Sequence, residues 1–272
     1  MQLFPLAIVV PTRNSSALLP QLVRSLQEQT CSDWRAILVD ASSLTGERSF
    51  LEELVHSDSR FSWVPQGADG TGIFGAMNIG FCLLRPCEWG LFWGSDDWAA
   101  SPTVLAEAMA ALEASNYIPA DRSNVLPDLL VCSGRYANAA QKTLGRFAAF
   151  QPPGLLTRAD YRRALLLGST PPHQATLFGP SARQRLAIYA PGFRLSADLD
   201  YFLQLSRHPG LRVQCLDLEL VHMGDCGVSG QQTQRRLKEV RRSYRRAFGW
   251  YWWFPFFMRY LRRVASLLGW SR

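Results

Sequence analysis

A chain of 272 residues, 47% hydrophobic and 19% charged, can bury a substantial core and is too apolar for a disordered polymer. Its formal charge of +7 is lopsided: eleven Lys or Arg and one acid, Glu239, lie from Arg235 onward, leaving 18 basic against 21 acidic residues in 1–234. A weakly acidic body is a poor surface for nucleic acid, so the basic character belongs to a tail with a partner of its own.

The six cysteines form no Cys-x-x-Cys pair and no zinc-ligand spacing, and read as reduced thiols of a cytosolic protein. The apolar start lacks a basic leader and runs into Pro11-Thr12, which marks a first strand rather than a signal peptide. No apolar run approaches the roughly 20 residues of a spanning helix.

In chain order, Leu6–Val10 is a strand ending at Pro11-Thr12-Arg13-Asn14. Ser15 and Ser16 are candidate caps for a helix with Leu18, Leu19, Leu22, Val23 and Leu26 on one face. Arg35–Val39 is a second strand, closing on Asp40-Ala41-Ser42-Ser43. Glu47–Val55 is helical, Phe61–Val64 a third strand, Gly67–Gly72 a turn and Ile73–Leu84 a helix. The aromatic strand Trp89–Trp93 then runs into Gly94-Ser95-Asp96-Asp97-Trp98, and Ser101-Pro102 opens a helix through Leu112. Alternating strands and helices over 1–115 imply a parallel, doubly wound sheet.

In such a sheet ligands bind beyond the carboxyl ends of the strands. Thr12 and Asn14, Asp40, and Asp96-Asp97 fall at three of those ends. Each cluster alone has a plain reading as turn chemistry; together they point to one site. Adjacent carboxylates raise each other's pKa unless a cation or strong donors intervene, and Mg²⁺ carrying phosphates is the economical cation. No Gly-x-Gly-x-x-Gly or Walker loop is present, which disfavours dinucleotide and P-loop functions.

Further on, Leu129–Cys132, Arg146–Phe150 and Gln174–Phe178 are strand candidates, with a helix over Arg158–Leu167 and turns at Pro152-Pro153-Gly154 and Pro171-Pro172-His173. Ser196-Ala197-Asp198 opens a helix through Leu205, followed by strands at Leu211–Leu216 and Leu218–His222 and a turn over Gly224–Gly230. There is no internal repeat.

These stretches, across about residues 5–245, resemble the family-2 glycosyltransferases of GT-A fold, in particular a subgroup of bacterial polysaccharide (colanic-acid-type) assembly. Val9–Asn14 is similar to the family's opening strand and turn. Val39–Ser43 is similar to the second, whose aspartate meets the nucleotide base. Gly72–Gly80 resembles a Gly-Ile-Tyr-Asp-Ala-Met-Asn-Lys-Gly stretch, with Gly75 in place of Asp and Ile79 in place of Lys. Ser95-Asp96-Asp97 falls where the family keeps its metal and diphosphate motif. His173-Gln174-Ala175 and Ser196–Tyr201 match a His-Gln segment and the segment that supplies the catalytic base.

The resemblance implies an α/β GT-A domain with a mixed, Rossmann-like sheet over 1–230. Its nucleotide half is 1–115 and its acceptor half 116–230. It further implies inverting, hexosyl-type transfer from a nucleotide-diphosphate sugar to a lipid-linked or oligosaccharide acceptor. Asp97, with Asp96, would hold Mg²⁺ or Mn²⁺ against the diphosphate, while Thr12, Asn14 and Asp40 serve the nucleotide. A carboxylate must serve as base. Asp198 and Asp200 point different ways on a helix, and helical geometry does not choose between them; the resemblance favours Asp198. His173 is placed near the acceptor cleft and His222 near the metal. A nucleotidyltransferase would need a basic glycine-rich loop that Pro11–Ser16 is not; a non-catalytic adaptor on a decayed transferase fold is the other rival.

The tail, 231–272, reads as a helix pair. Leu237, Val240, Tyr244 and Phe248 form a stripe among arginines, Gly249 interrupts, and Trp250–Met258 is an aromatic run followed by Arg259, Arg262 and Arg263 among Leu261, Val264, Leu267 and Leu268. Too short to span, it suits an anionic membrane surface on the cytoplasmic side; a lid packed on the body, or a dimer interface, is the competing expectation. Sugar, linkage and oligomeric state are not written in the sequence.

Overall fold

The computed structural model describes residues 5–41, 44–67, 72–115, 126–138, 143–224 and 232–267. Within the turns expected around Asp40 and over 67–72 and 224–230, Ser42, Ser43, residues 68–71 and residues 225–230 lie outside the described residues, as does Leu268.

The first half follows the expected alternation. Strands β1 (Leu6–Thr12), β2 (Trp34–Asp40), β3 (Phe61–Pro65) and β4 (Trp89–Phe92) are linked by helices α1 (Leu19–Gln27), α2 (Thr45–Ser57) and α3 (Gly72–Leu83). They lie side by side in the order β3-β2-β1-β4, all parallel. A short strand β5 (Trp98–Ala99) and helix α4 (Val104–Ser115) follow.

The second half turns the sheet mixed. Its elements are β6 (Leu129–Asn138), β7 (Thr143–Ala148), β8 (Gly154–Thr157), α5 (Arg158–Leu166), β9 (Thr176–Phe178), α6 (Pro180–Arg185), α7 (Ala197–Leu205) and β10 (Arg212–Gly224). Strand β9 pairs antiparallel with both β4 and β6, and β6 pairs parallel with β10. Two reversals restore direction, so β1, β2, β4, β6 and β10 all end on one edge, and β9 begins there. That edge is where the polar residues gather.

Alternation along the strands supplies a core on each face of the sheet. Leu6, Ile8, Val10, Leu38 and Leu91 pack with α1, α2 and α4, while Ala7, Val9, Val39, Phe92 and Phe178 pack with α3, α5 and α7. Helix α3 comes so close to β1 that a Cβ at Gly80 would lie 2.2 Å from Val9 Cγ1.

Several local expectations change. Ser15 bonds within its own turn to Arg13, α1 starts at Leu19 with Pro20 in its first turn and no side-chain cap, and Leu18 lies outside the core at 40% exposure. The strands expected on either side of Asp217 are one, β10, whose register shifts relative to β6 between Cys215 and Val221. The turn at Pro152–Gly154 leads into β8, which pairs with β10, and α6 forms in a stretch for which no element was expected.

The tail helices α8 (Thr233–Phe248) and α9 (Trp253–Leu267) are present. Val240, Tyr244, Ala247 and Phe248 of α8 are buried in the same core cluster as α7, so α8 packs on the body; Leu237, expected on that stripe, is exposed.

Candidate active site

Thr12 and Asp40 are register partners at the ends of β1 and β2. The Thr12 hydroxyl donates to Asp40 Oδ1 at 3.2 Å, and Arg48 Nε lies 3.9 Å from Asp40 Oδ2. Asn14 adopts a positive φ of 50°, which asparagine tolerates, and its Oδ1 accepts from Leu44 N–H at 3.0 Å, tying the first βα turn to the second. Both turns therefore face one corner of the edge.

The Asp96-Asp97 turn follows β4, the other neighbour of β1. Asp97 is 2% exposed, and its carboxylate accepts from Gly94 N–H and, at 3.2 Å, from Gly224 N–H at the end of β10. Burial, together with the charge of Asp96, pushes its pKa up to about 8 against those backbone donors. Asp96 is half-buried beside it. Its carboxylate rests over two glycines: a Cβ at Gly224 would lie 2.4 Å from Asp96 Oδ2, and one at Gly94 2.8 Å from Asp96 Oδ1. Asp97 thus joins two strand ends, and Asp96 is the less buried carboxylate of the two.

That donor set is of a kind that suits a hard divalent ion. Two hard oxygen ligands in a glycine-lined cradle suit Mg²⁺ or Mn²⁺ completed by phosphate and water. Among the described residues no group of three or more His, Cys, Asp or Glu side chains is placed to hold a metal by itself. His222, two residues before Gly224, bonds through Nε2 to Glu219 Oε1 at 3.0 Å and meets the Trp98 ring edge-on; Glu219 is also held by Arg135 at 3.0 Å.

His173 enters from β9. Because β9 runs against β4, the 3₁₀ turn His173–Ala175 that precedes it sits on the same edge, fastened by Trp93 Nε1 donating to Gln174 O at 2.9 Å. His173 packs on Phe92, and its Nε2 is 2.6 Å from the Tyr189 hydroxyl. Asn78 of α3 holds Tyr189 in place by bonding both its N–H (2.8 Å) and its C=O (3.0 Å). Tyr189 has no sequence pattern to announce it; only the α3 motif that contains Asn78 pointed this way.

Burial holds His173 below its ordinary 6.5, with the Asp198 charge opposing. The folded protein keeps this imidazole neutral while the unfolded chain protonates it below 6.5, so its contribution to stability is present above that pH and lost as pH falls towards the depressed value. Thermal melts from about pH 7.5 to about pH 5.5 should show a steeper loss for the wild type than for His173→Gln; identical slopes would mean that the ring is not held neutral.

Helix α7 carries both candidate bases, in its first turn. Asp200 is 1% exposed and forms a salt bridge with Arg246 of α8. Burial raises its pKa, and Arg246 pulls it back. Asp198 is half-buried on the side where its charge acts on His173 and Tyr189. The start of α7 has no side-chain cap of its own; instead Glu239 of α8 accepts from the N–H groups of Arg194 (3.0 Å), Leu195 (2.8 Å) and Ser196 (3.0 Å). Glu239 and Arg246 are partners that sequence reasoning missed, because they lie more than 40 residues from what they hold.

Residues 7–122 match the family model described as Glycosyl transferase family 2. A "PGL/p-HBAD biosynthesis glycosyltransferase" of Mycobacterium bovis BCG is 24% identical over 221 residues, covering 81% of this chain and 77% of that protein. Among solved structures, S. aureus TarS 1-349 superposes with a TM-score of 0.65 at 14% identity, over 88% of this chain. This chain spans 64% of that TarS fragment, which has also been solved with UDP-GlcNAc. The mannosyltransferase PcManGT of Pyrobaculum calidifontis, in complex with GDP-Man and Mn²⁺, gives a TM-score of 0.59 at 14% identity, over 89% of this chain and 63% of its own. At these identities the structural likeness establishes the GT-A fold.

Proposed function

We propose that this chain, whose residues 7–122 match the Glycosyl transferase family 2 model, transfers a sugar from a nucleotide-diphosphate sugar to a lipid-linked or oligosaccharide acceptor in surface polysaccharide assembly. The observation that carries the reading is the convergence on one sheet edge of the Thr12–Asp40 pair, the Asp96-Asp97 turn and the His173 turn that neighbours Asp198. UDP-GlcNAc in the TarS structure and GDP-Man with Mn²⁺ in PcManGT support a donor of this class.

In this reading Asp40, oriented by Thr12, accepts a ring N–H of the base, and Asn14 shapes the loop against the ribose. A carboxylate acceptor suits uracil or guanine. Asp96 and Asp97 would hold Mg²⁺ or Mn²⁺, which neutralises charge on the departing diphosphate. Asp198 takes the proton of the acceptor hydroxyl, and the buried His173–Tyr189 pair keeps its surroundings fixed. Asp200 is a partner of Arg246 and not a second base. His222 and Glu219 support β10 beside the metal turn. One base and one displacement give inversion at the anomeric carbon. The tail, 235–272, places the enzyme on the anionic inner face of the plasma membrane, where a lipid-linked acceptor resides.

Inversion is testable without knowing the acceptor. Slow hydrolysis of an α-linked nucleotide sugar, followed by proton NMR, should release the β-anomer first; first appearance of the α-anomer would contradict direct displacement.

A further inference from the structure

Helix α9 is docked by one side only. Pro255 is buried, the Phe256 ring meets Tyr244 and Tyr260, and Arg259 Nη1 donates to Thr170 at 3.1 Å. The helix backbone presses on Gly168, where a Cβ would lie 2.5 Å from Arg259 N. The opposite side carries Trp253, Phe254, Phe257, Leu261 and Val264, all 37–61% exposed. Their three- and four-residue steps draw one apolar stripe along the helix. Trp250, 83% exposed, extends it. An amphipathic helix normally buries such a stripe; this one turns it outward.

On α8, Lys238, Arg241, Arg242, Arg245 and Arg246 line a groove of about 530 Å³. Arg241 lies over the Trp252 ring, next to the stripe, at 4.9 Å, and Arg242 over Phe193 at 4.6 Å, which orders their guanidinium groups. Among the described residues no helix is long and apolar enough to cross a membrane. The combination of an outward aromatic stripe and a flanking cationic groove fits an interface-lying element.

We infer that the exposed stripe of α9 and the groove of α8 form one lipid-facing surface. The stripe enters the boundary between acyl chains and headgroups of an anionic bilayer, and the groove takes headgroup phosphates. This rests on the membrane reading above and specifies the face that serves it. A second copy of the chain is a poorer occupant, because a two-fold interface sets a patch against itself and would oppose the two cationic grooves. Since Glu239 and Arg246 of α8 grip the start of α7, docking this face also sets the orientation of Asp198 to the bilayer plane.

The test uses the full chain, because removing α9 would uncover Gly168 and the core around Tyr244. Co-sedimentation is measured with vesicles of phosphatidylglycerol and phosphatidylcholine and with phosphatidylcholine alone, for wild type, Phe257→Glu/Leu261→Glu and Arg241→Gln/Arg245→Gln. Leu144→Glu, at an exposed apolar site on β7, is the control. Wild type and control should bind the anionic vesicles. The stripe variant should lose binding at least about tenfold, and the groove variant about 30-fold, from about 1 kcal/mol per lost charge. Undiminished binding of both variants would overturn this face while leaving a membrane-bound enzyme; failure of wild type on every vesicle would overturn both. A dimer dissolved by Phe257→Glu, with no vesicle binding, would identify a second copy as the occupant. Donor binding, measured on the same samples, judges the transferase reading separately.

Discussion

Asp198→Asn should bind a nucleotide-sugar donor as tightly as wild type while transferring sugar about 10²–10⁴-fold more slowly, the range for a missing general base. The amide keeps the shape of the carboxylate and cannot take a proton. Asp198 is half-buried beside the His173–Tyr189 pair, whereas Asp200 is spent on Arg246. Asp200→Asn should therefore appear in stability. Losing the charge leaves Arg246 without its partner and costs about 1–3 kcal/mol, less than a fully buried pair because Arg246 remains 40% exposed. Urea titrations check the second variant, and donor titrations with single-turnover transfer check the first. Loss of transfer in Asp200→Asn, with retention in Asp198→Asn, would reverse the assignment.

Removing either carboxylate of the Asp96-Asp97 turn should abolish the metal-dependent part of nucleotide binding. The two act differently. Asp96→Ala deletes the less buried carboxylate. Asp97→Ala releases the N–H groups of Gly94 and Gly224 and lets the end of β4 part from the end of β10. Gly224→Ala tests the cradle: its Cβ would meet Asp96 Oδ2 at 2.4 Å and Asp96 O at 2.6 Å, so the turn must move. Displacing a group that orients a metal ligand weakens metal binding about 10- to 100-fold, and the same is expected here. Calorimetric titration of a nucleotide with and without Mn²⁺ measures each effect. Wild-type Mn²⁺-dependent affinity in Asp97→Ala would refute the metal assignment.

What could be read from the sequence follows a physical divide. Thr12, Asp40 and Asp96-Asp97 were legible because a residue that ends a buried strand is placed by the strand, and parallel strands end together. His173 was legible as a motif, but the burial that lowers its pKa is set by packing partners such as Phe92 and Tyr189, which the motif does not contain. Asp198 and Asp200 could not be separated by helical geometry, since the residue that makes their surroundings differ, Arg246, is 46 residues from Asp200. The periodicity of α8 was visible, yet Leu237 was assigned to its buried stripe because hydrophobicity marks a residue and not the surface it faces. The bulged β10 looked like two strands because the polar Asp217 interrupts the pattern at the register shift between Cys215 and Glu219. Glu239 looked like one acid in a basic run. Its capping of α7 became visible only once α7 and α8 were side by side.

The most direct test of the central claim is a thermal-shift screen of UDP-, GDP- and dTDP-sugars, each with and without Mn²⁺. A ligand that binds only the folded state raises Tm, by roughly 2.7 kcal/mol of added stability at 100 times its Kd. A donor site at the ends of β1, β2 and β4 predicts a Mn²⁺-dependent rise with one nucleotide class, absent in Asp97→Ala. No shift with any nucleotide sugar, on protein that melts cooperatively, would contradict it and favour a non-catalytic adaptor on a transferase fold.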